Sequence, residues 1–328
     1  MDKTMNQGSK VGAVVVTRNR KELLLKCLNG IISQSIPPEA VFIIDNASED
    51  GTEEALLAEN FITELPDGHV RDFLTECNKD GLRIIYTRLS RNLGGAGGFH
   101  EGIKMVYSSG YEWIWIMDDD TIPEENALAK LLSVVICDNK VGFVCSNVLW
   151  ADDTPHLMNI PQVKTFVGGV PFNRYLFSDG VLCVEACSFV SVILNRNAVK
   201  DVGLPIKEFF IWGDDLEYTA RITNSGYLGL FSPSSIVHHE TDKNYCADLI
   251  DDSVENLWKH AYGIRNRLFM LKKDKGISFI AYFGYHILND IIRVILYRKR
   301  DKIPFLKMIL KAYWHGLFFS PSVIRRML

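Results

Sequence analysis

The chain has 328 residues, 47% of them apolar and 23% charged, enough for one large domain or two modest ones with a sizeable core. Its 40 acidic residues against 36 lysines and arginines give a net charge of -4, which argues against nucleic-acid binding, and its apolar content argues against general disorder. The seven cysteines, an odd number with no CxxC pair, read as reduced thiols rather than a disulfide framework or a zinc site.

Met1 to Lys10 is polar, unlike a signal peptide, and no segment reaches about 18 uncharged apolar residues, so no membrane span is expected. The β-branched run Val11 to Val16 predicts a buried strand. Arg20 to Ile32 carries Leu24, Leu28, Ile31 and Ile32 at helical spacing. Ala40 to Ile44 is a second strand candidate and runs into Asp45-Asn46. Asp50-Gly51-Thr52 predicts a turn and a helix start, capped by the Thr52 hydroxyl. Arg83 to Thr87 predicts a strand, Gly97 to Tyr107 a helix and Glu112 to Met117 another strand. This alternation implies a parallel sheet with helices on both faces. Cys145 to Gly180 is rich in turn formers and gives no assignment. Ser188 to Leu194 predicts a strand, Val199 to Pro205 a short helix and turn, and Glu208 to Ser225 an acidic cluster entering a helix. Tyr227 to Phe231 is a further strand, followed by Val237-His238-His239.

A catalytic domain is expected over residues 1–250, with nucleotide binding over about 10–120 and the acceptor part over about 121–250. Residues 251–328 form a helical region in which basic and aromatic residues alternate. From Ile292 on, Arg293, Arg298, Lys299, Arg300, Lys302, Lys307, Lys311, Arg325 and Arg326 face one acid, Asp301, among Phe305, Tyr313, Trp314, Phe318 and Phe319. That mix suits an anionic membrane surface, the inner leaflet for a cytoplasmic protein. A helical cap or a homo-oligomer interface is the alternative.

Ligands of such sheets bind beyond the carboxyl ends of the strands. Thr17-Arg18-Asn19, Asp45-Asn46 and Asp118-Asp119-Asp120 all fall there, which argues for one site. Two carboxylates one residue apart at a strand end suit a hard divalent cation, Mn2+ or Mg2+, able to bridge the phosphates of a nucleotide-sugar. A solvated acidic turn is the bland alternative. The apolar run Trp113-Ile114-Trp115-Ile116-Met117 favours the metal, because carboxylates held rigidly at its exit are costly without a cation.

Sugar transfer with inversion needs a general base for the acceptor hydroxyl. Asp214 and Asp215 provide one, because two adjacent buried carboxylates do not both ionise cheaply: one acts while the other orients it or holds an acceptor hydroxyl. An acidic helix start stabilised by the dipole is compatible with that role. A neutral imidazole from the His238-His239 pair would complete the metal's coordination, a structural pair being the alternative. The glycine-rich stretch Asn92-Leu93-Gly94-Gly95-Ala96-Gly97-Gly98 opens a helix and permits close approach to an anion, a weak signal alone.

Taken in order, Val14-Val15-Val16-Thr17-Arg18-Asn19-Arg20, Ile44-Asp45-Asn46-Ala47-Ser48 with Asp50-Gly51-Thr52, the glycine stretch and Met117-Asp118-Asp119-Asp120 resemble the family 2 glycosyltransferases over roughly residues 10–270. Trp212 near Asp214-Asp215, a histidine after Ser235-Ile236-Val237 and Ile264-Arg265-Asn266-Arg267-Leu268 are most similar to the bacterial galactofuranosyltransferases. The resemblance implies a GT-A fold, an α/β, Rossmann-like nucleotide-binding mixed sheet flanked by helices, here with the helical C-terminal region. It implies metal on Asp118, Asp120 and His238, and Asp215 as base beside Asp214. Donor contacts fall on Thr17, Arg18, Asp45, Asn46, Asn92, Gly97 and Asp119, and Trp212 shapes the acceptor side. The implied reaction moves galactofuranose from UDP-galactofuranose to a glycan or lipid-linked glycan. A dTDP-rhamnose-dependent transferase and a non-catalytic nucleotide-sugar binder are the alternatives. Gly213, between Trp212 and the aspartates, departs from the subfamily pattern, where the two are adjacent.

Overall fold

Strand β1 (Val11–Thr17) is buried along its whole length, as a valine run covered on both faces requires. In the computed structural model, which describes residues 10–65, 73–135, 140–164, 166–167, 170–171, 180–323 and 327, β1 lies inside a large sheet. Residues 1–9, Cys137, Arg325 and Arg326 lie outside the described residues.

Helix α1 (Lys21–Ile32), strand β2 (Ala40–Asp45), helix α2 (Thr52–Ala58), strands β3 (Phe73–Lys79) and β4 (Leu82–Arg88), helix α3 (Gly94–Ser108) and strand β5 (Trp113–Asp118) follow in order. Then come β6 (Thr121–Pro123), α4 (Ala127–Val135), β7 (Val141–Leu149), β8 (Gln162–Val163), a small pair β9 (Phe166–Val167) and β10 (Val170–Pro171), β11 (Leu182–Ala186) and β12 (Val192–Asn195). Helices α5 (Arg196–Val202) and α6 (Asp214–Asn224), strand β13 (Leu228–His239) and helices α7 (Leu257–Lys275), α8 (Phe279–Tyr297) and α9 (Lys302–Phe318) complete the chain.

The main sheet runs β3-β4-β2-β1-β5-β12-β7-β13-β11-β8, with β6 added beside β13. The segment β4-β2-β1-β5 is parallel, as the alternation predicts. Beyond it β12 pairs antiparallel with both β5 and β7, so the sheet as a whole is mixed, as the resemblance implies. The reversal lies in the middle of the chain, where, among the described residues, β12 is reached from β7 without an intervening α-helix.

Alternation along β1 builds two cores. Ala13 and Val15 pack with Leu24, Leu28 and Ile31 of α1 and Leu128 and Leu131 of α4. Val14 and Val16 pack with Phe99, Ile103 and Val106 of α3. Each fully buried leucine or isoleucine contributes roughly 1.5–3 kcal/mol. Helix α3 can lie this close because Gly98 has no side chain: a Cβ there would meet Val16 Cγ1 at 2.4 Å. At the start of α2, the expected Thr52 cap is corrected. Gly51 takes the cap position with φ 84° and no side-chain bond, and the Thr52 hydroxyl instead donates to Asp50 Oδ1 at 2.5 Å.

The C-terminal helices form a third cluster around Leu268, Val294, Phe305, Ile309 and Tyr313. The sequence argument against a membrane span needs qualifying, because α8 is long and apolar enough to cross one by length and composition. Its charged residues turn inward: Asp290 accepts from Tyr313 Oη at 2.8 Å and pairs with Arg267, and Arg293 pairs with Asp248 at 2.6 Å. The outward face is left apolar.

Candidate active site

The site begins where β5 ends. Asp119 turns back toward β1, its Oδ2 accepting from Thr17 Oγ1 at 2.7 Å and from the Arg18 amide at 3.3 Å. Its Oδ1 accepts from Arg20 Nη1 at 3.1 Å, and the same guanidinium pairs with Asp120. Asp119 thus ties the first strand's exit loop to the fifth's, and Thr17 and Arg18 are brought to it. Burial pushes the Asp119 carboxyl up to about 6, eased by Arg20. Burial, then Asp120 and Asp119, push Asp118 well above the carboxylate range. Arg20, half exposed, is a site residue the sequence reading did not single out, although it lies inside the quoted motif.

The structure brings His239, rather than the expected His238, to the aspartates. β6 follows Asp120 immediately and pairs antiparallel with the end of β13, placing His239 opposite Thr121 and His238 opposite Ile122. Neighbouring strand residues point to opposite faces. His239 Nε2 therefore lies 3.1 Å from Asp120 Oδ1. His238 turns away, to Glu124 Oε1 at 3.2 Å and Asp153 Oδ1 at 3.8 Å.

Among the described residues no three histidine, cysteine or acidic side chains already converge as a cation cage. The donor chemistry nonetheless fits one. Asn159 Nδ2 donates to Ser188 Oγ at 2.8 Å, which orients its Oδ1 toward His239 Nδ1 at 2.9 Å. That assignment puts the ring proton on Nδ1 and leaves the Nε2 lone pair aimed at Asp120. Asp120 Oδ1 is buried and has no hydrogen-bond donor. In that tautomer Nε2 and Asp120 Oδ1 are two acceptors 3.1 Å apart, and a carboxylate beside an imidazole is a donor pair that fits Mn2+ or Mg2+.

The expected donor residues divide. Asn46 is buried and bridges to the glycine-rich stretch, donating to the Gly94 carbonyl at 3.0 Å and accepting from the Leu93 amide at 3.2 Å. Asn92 Oδ1 accepts from the Gly94 amide at 2.8 Å, making the turn that opens α3. Arg18 reaches the Asn46 carbonyl at 3.2 Å. Asp45 is not brought to open space: it is 0% exposed, with its oxygens bonded to the Ser48 amide at 2.8 Å and Tyr86 Oη at 2.7 Å. Gly97 is likewise buried, and a Cβ there would meet Leu93 Cβ at 2.3 Å, whereas Gly95 is open. Gly94 needs to be glycine twice over, with φ 73° and the Phe210 carbonyl 2.1 Å from where its Cβ would stand.

Phe210 opens the other half of the site. The chain from Phe210 to Gly213 is strained, with positive φ at Phe210 (65°), Trp212 (63°) and Gly213 (87°). Such angles cost a non-glycine residue of order 1–3 kcal/mol. Trp212 packs edge-on against His260 at 5.0 Å and is partly exposed. Gly213 caps α6, whose first turn carries Asp214, Asp215 and Glu217. Asp214 is buried and Asp215 partly exposed. The Leu216 amide donates to Asp215 Oδ1 at 2.7 Å. Burial pushes both carboxyls up, Asp214 further because Asp215 adds to the effect and Asp215 less because backbone amides relieve it. Asp214 also adds, after burial and the nearer aspartates, to the upward push on the Asp118 carboxyl.

Residues 13–197, more than half of the chain, match the model of Glycosyl transferase family 2. The galactofuranosyltransferase GlfT1 of Mycolicibacterium smegmatis is 28% identical over 71% of this chain and 72% of its own. GlfT1 of Mycobacterium tuberculosis is 28% identical over 80% and 82%. The crystal structure of GalNAc-T7 with UDP, GalNAc and Mn2+ aligns with a TM-score of 0.57 and 13% identity, covering 94% of this chain, which spans only 55% of that one. At that identity the likeness shows the fold, and the fold is GT-A.

Proposed function

Because the chain belongs to glycosyl transferase family 2, we propose that it moves galactofuranose from UDP-galactofuranose to a glycan or lipid-linked glycan acceptor, with inversion. The GlfT1 relatives support the donor sugar. The observation that carries the chemistry is the Phe210 carbonyl, which accepts from the Ala96 amide at 3.2 Å and so ties the segment entering α6 to the glycine-rich stretch that Asn46 holds. In this reading Asp215, the more exposed of the pair, takes the proton from the acceptor hydroxyl. The acceptor oxygen bonds to the anomeric carbon, and the bond to the phosphate oxygen breaks, its electron pair leaving with UDP. Asp118, Asp120 and His239 would hold Mn2+ or Mg2+, which when bound offsets the charge of the diphosphate. Arg20 adds a fixed positive charge on the same side. Thr17, Arg18, Asn46 and Asn92 shape the nucleotide side, and Trp212 the acceptor side.

Purified protein with Mn2+ and UDP-galactofuranose is expected to release UDP, more rapidly when a glycan acceptor is added. Release from dTDP-rhamnose in place of UDP-galactofuranose would reassign the donor. Binding without release from either would leave a nucleotide-sugar binder.

The reading also places the enzyme at an anionic membrane surface, the inner leaflet for a cytoplasmic protein. On α9, Trp314 and Phe318 are 63% and 69% exposed and share a face with exposed Lys307 and Lys311; on α8, Ile280 is 80% exposed. Large apolar side chains beside lysines match an interfacial helix, whose binding adds apolar burial to charge attraction. The paired variant W314E/F318E is expected to reduce co-sedimentation with phosphatidylserine vesicles by about 10-fold or more, with turnover on a soluble acceptor unchanged. Undiminished co-sedimentation, or a dimer that the same variant dissociates, would reassign the face.

A further inference from the structure

Helix α7 lies far along the chain from the acidic pair, yet it grips the segment in front of it. Asn266 is 0% exposed. Its Nδ2 donates to three carbonyls, those of Phe209 at 3.0 Å, Ile211 at 3.1 Å and Trp212 at 2.8 Å. An amide nitrogen has two hydrogens, so the three carbonyls share them. Arg265 sets the amide's orientation by donating to Asn266 Oδ1 from Nε at 3.1 Å and Nη2 at 2.9 Å. The same Nη2 reaches the Glu208 carbonyl at 2.6 Å and the Phe209 carbonyl at 3.1 Å. Rings on α7 close the arrangement: Tyr262 stacks on Phe210 at 5.0 Å and His260 meets Trp212.

We propose that Asn266, oriented by Arg265, is a positioning residue for the reaction, holding the strained Phe210–Gly213 backbone so that α6 starts where Asp215 meets the acceptor. Phe210 and Trp212, non-glycine residues at positive φ within three positions, relax unless outside bonds hold them. The carbonyls of Ile211 and Trp212, and that of Phe209 just before the segment, face α7, and Asn266 answers all three at one point. Phe210 also touches Gly94, its carbonyl accepting from the Ala96 amide at 3.2 Å, so the clamp sets the distance between the base and the nucleotide side. The C-terminal helical region thereby belongs to the catalytic unit. This rests on the reading of Asp215 as the base.

The test uses Asn266→Ala and the milder Arg265→Lys in the full chain. Hydrogen exchange of the peptide spanning 207–216 is expected to rise by about 10-fold or more in Asn266→Ala, with the peptides of β1 and α3 unchanged. UDP affinity in the presence of Mn2+ should stay within about two-fold, while kcat for UDP release from UDP-galactofuranose falls by about 10–100-fold, the loss typical of a small misplacement. Arg265→Lys should show the same pattern at a few-fold. In an Asp215→Asn background, Asn266→Ala should cost nothing further, because the group it positions is already gone. Unchanged exchange with unchanged kcat, or an equal loss in the Asp215→Asn background, overturns the proposal. If Asp215→Asn alone turns over like the wild type, the base reading has failed, a result distinct from failure of the clamp.

Discussion

Asp215→Asn is expected to lower turnover by about 10²–10⁴-fold while leaving UDP affinity unchanged, and Asp214→Asn by no more than about 10-fold. The asymmetry follows from the pair's surroundings. Asp214 is the more buried, and its carboxyl is pushed up by that burial and then by Asp215. It therefore keeps its proton more readily, and an amide imitates a protonated carboxyl well. Asp215 is relieved by backbone amides at the start of α6, where the helix dipole also favours an anion, so the pair's negative charge rests there. Asparagine at 215 replaces the basic carboxylate with an amide that cannot take up the acceptor's proton. The pH profile carries the same sign. The base works ionised, and burial raises its pKa above the usual aspartate value, so turnover falls on acidification sooner than for an exposed carboxylate. An inactive Asp214→Asn beside an active Asp215→Asn would exchange the two roles.

Much of this arrangement is legible in the sequence where short-range rules apply. The valine run of β1, the Asp118–Asp120 cluster at the exit of β5 and the acidic start of α6 come from periodicity and from what strand ends and helix starts do with charge. What the sequence hides depends on contacts between distant segments. Asn266 meets Trp212 across 54 residues, and although it lies in the Ile264–Leu268 stretch that carries the resemblance, nothing in that stretch tells which segment it holds. Asp45 reads as a nucleotide contact because it ends a strand, yet Tyr86 on the neighbouring β4 and the Ser48 amide take up its oxygens. The helical character of residues 251–328 is visible in composition, but its hold on the catalytic segment is not. The inward pairing of Asp290 and Arg293, which leaves α8 apolar outside, likewise needs the positions of Arg267, Tyr313 and Asp248.

His238 and His239 show the limit at one-residue resolution. Which of two neighbours on a strand faces a site depends on the partner's register, and here the partner is β6, only three residues long. His239→Ala is expected to weaken Mn2+ binding more than the roughly 10–100-fold that loss of an outer partner usually causes, and Asn159→Ala to fall within that range. His238→Ala should leave Mn2+ affinity within about two-fold, because its ring turns to Glu124 and Asp153 at the surface. Titrating Mn2+ by calorimetry with UDP present reads all three variants without relying on turnover. Asn159→Ala is the informative case. Its Oδ1 fixes the His239 proton on Nδ1, so its loss lets the imidazole rotate or change tautomer while both supposed ligands remain. Mn2+ affinity lost in His238→Ala and kept in His239→Ala would mean that the end of β13 turns over in the working enzyme and that the register with β6 is not the one that binds metal.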